Sequence, residues 1–197
     1  MSSKVTLKDL EIVQGVINQA GLDYQLELEN GKISVMGPSD IISSEIGVQL
    51  IRLLGNWVYP RRLGRVFDSA GGFILSDSNL TAPDVSFVRA DRLRRSVRYF
   101  AEIVPDLVVE IKSQSEIASA TLRERIPPLK KKIKKYIEQG AQVGILIDPD
   151  EEIVTVYRPT GEPVKLTSDD NLSIPELFPG WEISIGELWP PIFDEEE

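Results

Sequence analysis

The sequence predicts a mixed-sheet α/β (α+β) domain, and three observations carry that expectation. Apolar residues recur at helical spacing over residues 6–20 and again from about 40 to 58. YQLELENGKISVM sets Leu26 and Leu28 among polar neighbours around Asn30-Gly31, a strong hairpin signal. Two apolar stretches, residues 107–112 and 143–147, enclose a basic helical one, and strands interleaved with helices make a mixed sheet.

Taken in order, the first helix sets Leu7, Leu10, Val13, Val16, Ile17 and Ala20 on one stripe. The hairpin follows, and Gly37-Pro38-Ser39 breaks the chain and offers a cap. The second helix carries Ile42, Ile46, Leu50, Leu53, Leu54 and Trp57 on one side. Short strands are expected at 65–68, 72–75, 84–88 and 107–112, punctuated by Ala70-Gly71-Gly72 and residues 76–79. A helix over 129–139 starts after Pro127-Pro128 and stops at Gly140. Strands at 143–147 and 153–157 flank the turn Asp148-Pro149-Asp150. We expect a single domain over 1–197, with an N-terminal helix and hairpin in 1–37 and an acidic tail in 187–197.

Composition narrows the chemistry. The 197 residues include no Cys and no His, which excludes a zinc finger, a His-ligated metal and a Cys or His nucleophile–base pair. Any metal must take oxygen ligands, which suits Mg²⁺ or Mn²⁺. There is no GxGxxG, GxxxxGK[ST] or SxxK. No apolar run is long enough for a membrane span and no signal peptide opens the chain, so the expected compartment is the cytoplasm. The net charge is −9, yet RADRLRRSVR (89–98) carries +4 and RERIPPLKKKIKK (123–135) carries +6.

Within this frame a few charged residues stand where the pattern predicts core. In PDLVVEIK (105–112) alternation puts Asp106, Val108, Glu110 and Lys112 on one face and Leu107, Val109 and Ile111 on the other. Asp84 opens the strand of APDVSFV. Glu45 borders the buried stripe of the second helix, and Lys132 sits between Leu129 and Tyr136 on the apolar side of the third. Each has a plain structural explanation, a strand start, a first-turn carboxylate or a snorkelling lysine.

Together they form PD–x–ExK, with a helical Glu before it and a basic helix after it. The chain resembles the PD-(D/E)xK nuclease superfamily and, within it, the Uma-type restriction-endonuclease-like family. The resemblance rests on ELENGKISVMGPSDIISSEIG, APDVSFV, PDLVVEIKSQS, KKYIEQGAQVGILIDPD and VTVYRP, in that order. It implies a restriction-endonuclease-like core and a metal-dependent endonuclease acting on DNA. Asp84 and Glu110 would be the Mg²⁺ or Mn²⁺ ligands, Lys112 the catalytic lysine and Glu45 the helical acid. Asp106 would support the site, and Lys132 matches a lysine frequent in relatives that lack one on the strand. Ile46 and the segment Ser113-Gln114-Ser115 depart from the family's habitual residues. The basic runs would contact phosphates through Arg92, Arg94, Arg95 and Lys131, and no basic patch interleaved with aromatics suggests single-strand stacking. Many nucleases of the superfamily act as dimers. Two other readings stand beside this one, a catalytically weak binding or regulatory module on the same fold and a structural or oligomerising protein.

Overall fold

The computed structural model describes residues 5–22, 24–113 and 126–193, and for Ile126 and Pro127 the backbone only. The acidic tail at 194–197 and the first part of the second basic run, 123–125, lie outside the described residues. Helix α1 (Leu7–Gln19) starts at Thr6, whose hydroxyl and Asp9 carboxylate cap each other's backbone amides. Strands β1 (Gln25–Glu29) and β2 (Lys32–Met36) form the expected hairpin. Asn30 and Gly31 both take positive φ, the requirement of the tight turn that joins them. Helix α2 (Ile41–Arg61) is capped by Asp40 and runs past the expected end at 58, with Pro60 in its last turn.

Strands β3 (Gly64–Asp68), β4 (Phe73–Ile74), β5 (Leu80–Thr81), β6 (Val85–Arg89) and β7 (Leu107–Ile111) follow. Helix α3 (Ile126–Glu138) crosses to β8 (Val143–Asp148), and β9 (Ile153–Tyr157) turns back. The short strands β10 (Val164–Leu166), β11 (Asn171–Ser173) and β12 (Glu182–Ser184), with a closing 3₁₀ turn at Ile185–Leu188, were not expected from sequence. The central sheet runs β10-β9-β8-β7-β6-β3, with β7 and β8 parallel and the other pairs antiparallel. A second sheet, β2-β1-β5-β4, is joined to the segment after β6 by the bridge between Phe73 and Ala101.

Helix α2 covers one face of the central sheet. Ile46, Leu50, Leu54 and Val58 pack on Val85, Phe87, Leu107, Val109 and Ile111. The apolar face read in PDLVVEIK is therefore the one in this core. Ile42, expected on the same stripe, is exposed. Helix α3 covers the opposite face, with Ile133 and Tyr136 against Val108 and Leu146. It packs closely because β8 has Gly144 beneath it, where a Cβ would stand 2.6 Å from Ile133 Cγ2. No helix among the described residues is long and apolar enough to cross a membrane.

Candidate active site

Two-residue periodicity puts Glu110 on the α3 face with Val108, and there it is 4% exposed. Asp84 immediately precedes β6, whose Val85 pairs with Val109 of β7. Continued by one residue, that register sets Asp84 opposite Glu110. The Ile111 amide donates to Asp84 Oδ2 at 2.6 Å, which ties the two strand ends together.

The cation comes from α3. Lys132 lies one turn before the buried Tyr136, and its Nζ stands 3.1 Å from Glu110 Oε1 and donates to Oε2 at 3.2 Å. On its other side the same amine donates to Glu27 Oε1 at 3.1 Å. Glu27 is in turn fixed by the Ala82 amide at 2.7 Å and the Thr81 hydroxyl at 3.2 Å, and that hydroxyl meets Tyr136 Oη. Sequence reasoning missed Glu27. It alternates with Leu26 and Leu28 on the outwardly polar side of the hairpin, and only the pairing of β1 with β5 turns that side over the site.

Among the described residues, charge in this cluster does not balance. One ammonium, Lys132, meets Glu27 and Glu110, Asp84 stands near Glu110, and Glu110 is the most deeply buried. Its loss of water raises its pKa from 4.5 to about 8; Lys132 pulls it down, and Asp84 and Glu27 push it up. Burial alone would lower the Lys132 pKa, but the charge of Glu110 and its neighbours outweighs burial and keeps the amine protonated. Glu110 Oε1, although near Lys132, is off the line of a hydrogen bond and has no donor. A buried carboxylate oxygen without a partner, on a carboxyl set opposite another across two strands, fits a hard cation that takes one or two protein carboxylates. No group of three or more metal-ligating side chains occurs among the described residues, so such an ion would depend on water and substrate oxygens for the rest of its shell.

Several expected residues stand elsewhere. Lys112 lies beyond the end of β7, and its amine binds Asp148 and Asp150 at 2.8 Å each instead of Glu110. The place beside Glu110 is held by Lys132. Glu45 is half-buried and is not among the residues that line the cavity of about 200 Å³ beside Asp84, whose α2 wall is Ser43, Ser44, Gly47, Val48 and Ile51.

Asp106 is fully buried at the other end of β7, where it accepts from the Arg89 amide at 2.9 Å, Arg92 at 2.7 Å and Gln142 at 3.0 Å. It anchors the strand and does not enter the site. Arg92 is thereby occupied as an ion-pair partner and is not an open phosphate contact. Arg94 and Arg95 are exposed but follow the far end of β6, about 17 Å of strand from Asp84. Lys131 is exposed on α3, next to Lys132 and near the site.

The fold and sequence agree with comparisons to other proteins. The Uma2 family model, described as "putative restriction endonuclease", matches residues 10–186. A crystal structure from Anabaena variabilis, described as "a putative nuclease belonging to DUF820", superposes with a TM-score of 0.72 at 26% identity. The match covers 86% of this chain and 94% of that one. Among curated proteins none matches. With nearly its whole length inside the family model and its fold shared with that nuclease, the chain belongs to the Uma2 family.

Proposed function

We propose that the chain is a metal-dependent endonuclease that hydrolyses phosphodiester bonds, with DNA as substrate and Asp84, Glu110 and Lys132 as its working residues. The observation that carries this reading is the meeting of two opposed acids and one lysine at a strand end, Lys132 Nζ lying 3.1 Å from Glu110. Asp84 and Glu110 would hold Mg²⁺ or Mn²⁺, which when bound supplies a Lewis acid and a water acidic enough to attack near neutral pH.

The chain's own groups do the rest. Asp84 is held by the Ile111 amide, which donates to Oδ2 and sets the carboxylate beside Glu110. Glu110 must give up its proton to become one, and the nearby ammonium of Lys132 favours that loss. Lys132 keeps its charge and offers N–H donors to phosphate oxygens where negative charge accumulates. Glu27 holds that amine from behind and fixes where it points. Lys131 and the other exposed lysines of α3 supply phosphate attraction that the chain as a whole, at −9, does not.

The competing reading is a binding or regulatory module with little catalysis. The net charge and the near-complete burial of Glu110 favour it. Plasmid and oligonucleotide cleavage with Mg²⁺ or Mn²⁺, comparing the native chain with Asp84→Ala and Glu110→Ala, separates the two. Cleavage lost in both variants is expected. Binding of Mn²⁺ that both variants lose, without cleavage by the native chain, would favour the module.

A further inference from the structure

A wide cleft lies outside the Asp84–Glu110 cluster. It encloses about 600 Å³ where the chain after β6 folds back along β4, lined by Phe67, Phe73, Phe100, Tyr99 and Arg98 among others. The fold-back is fixed by backbone pairing, Ile74 donating to Ala101 at 2.8 Å and Ala101 to Gly72 at 3.1 Å. Gly72 is what lets an aromatic ring lie there, since a Cβ on it would stand 2.4 Å from Phe100 Cδ1. Phe67 and Phe73 meet edge to face at 5.5 Å. Tyr99 is 90% exposed and Phe100 41%, a large cost in exposed aromatic surface for a protein that has only 11 Phe and Tyr in all.

This cleft lies beside the site. Asp68 and Ser69 line the cavity beside Asp84, and Ala70, the next residue, lines the cleft. A second hollow of about 270 Å³ shares Ala70, Gly72 and Phe100 with the cleft and reaches Thr81 and Ala82, the partners of Glu27. Gln14, Asn18 and Gln25 line that hollow; Gln14 already donates to Asn18 Oδ1 and to the Tyr24 carbonyl, and the Gln25 side chain is of a kind that both donates and accepts.

Flat aromatic faces and a guanidinium therefore share the cleft, and amide side chains line the hollow that adjoins it. Arg98 shares the cleft with Glu11 and Glu102. Arg94 and Arg95 are exposed just before it in the chain, so the basic run leads into Tyr99-Phe100, against the sequence expectation that no basic patch meets aromatics. Bases inside a duplex already stack on one another, so exposed aromatics beside cations suit unpaired nucleotides.

We propose that this groove seats an unpaired strand flanking the scissile phosphate, with bases on Phe100 and Tyr99 and phosphates along Arg98. The proposal rests on the nuclease reading for its direction, because the groove lies beside the site that would cut.

The test uses the full chain with Ca²⁺ in place of Mg²⁺, and fluorescence anisotropy on a short blunt DNA duplex and on the same duplex carrying a single-stranded tail. The tailed duplex should bind more tightly. Tyr99→Ala and Arg98→Ala, at exposed positions that do not support the core, should weaken the tailed duplex about tenfold to a hundredfold, the worth of a stacked base. They should leave the blunt duplex unchanged, and Tyr99→Phe should restore the tailed affinity. Equal affinities for both DNAs, or no effect of Tyr99→Ala, would overturn the proposal. So would self-association, measured by sedimentation, that Tyr99→Ala abolishes without altering DNA binding, since the groove would then seat a second copy of the chain.

Cleavage by the same proteins in Mg²⁺ keeps the two readings apart. Asp84-dependent cleavage indifferent to Tyr99 would leave the nuclease standing and sink the groove. Tyr99-dependent binding of the tail without any cleavage would support the groove and sink the nuclease.

Discussion

Replacing Glu110 by Gln isolates the charge imbalance of the site. In the folded chain without metal, burial raises the Glu110 pKa from 4.5 to about 8. The unfolded chain releases this proton near 4.5, whereas the folded chain keeps it up to about 8. Between those values the folded state binds more protons than the unfolded one, so Glu110 makes stability fall as pH rises. The slope is about 1.4 kcal/mol per pH unit, or roughly 3 kcal/mol between about pH 5.5 and 7.5. Glu110 is 4% exposed, so water screens little of this. Gln has nearly the same shape and does not titrate, so any constant packing cost of Glu110→Gln cancels when the two pH values are compared. Urea unfolding with EDTA, on both proteins at both pH values, should show the stability difference between wild type and variant shifting by about 2–3 kcal/mol in favour of Gln at the higher pH. A difference that does not change with pH would mean that Glu110 is ionised throughout, and the reasoning from burial would fail.

Three further outcomes follow from the packing around the site. Gly144→Ala should push Ile133 and the turn of α3 that carries Lys132, costing about 1–3 kcal/mol in urea unfolding and lowering cleavage more than that loss explains. Asp106→Asn should destabilise by about 2–4 kcal/mol, because Arg92 and the Arg89 amide lose a buried charge, while Mn²⁺ affinity measured by calorimetry stays unchanged. Glu27→Gln should keep the fold but lower the single-turnover cleavage rate about tenfold or more, because Lys132 loses its rear partner; restoration by Glu27→Asp would argue for charge over shape.

Much of this was legible in the sequence because strand faces follow a period of two. Leu107, Val109 and Ile111 had to be core, and Glu110 had to emerge on the opposite face near Asp84. Lys132 showed itself by standing in an apolar helical stripe. Glu27 did not, since nothing local distinguishes it from Glu29 on the same hairpin face, and its role depends on the approach of β5 and α3. Lys112 misled for a related reason. Its spacing from Glu110 is right for a shared site, but Asp148 and Asp150, read only as turn residues, capture its amine. The last strands, each three residues long, are too short for any periodicity to register. Arg92 looked like a free cation because its partner, Asp106, is 14 residues further along the chain.

The measurement that bears most directly on the centre formed by Asp84, Glu110 and Lys132 is a single-turnover DNA cleavage rate in Mg²⁺ or Mn²⁺ for Lys132→Ala beside Lys112→Ala. Removing a positioned cation at the reacting phosphate should cost about 100-fold or more. Lys132→Ala is therefore expected to abolish nearly all cleavage, while Lys112→Ala loses stability through Asp148 and Asp150 but still cuts. Cleavage that survives Lys132→Ala and disappears with Lys112→Ala would contradict the assignment and return the catalytic role to the strand lysine.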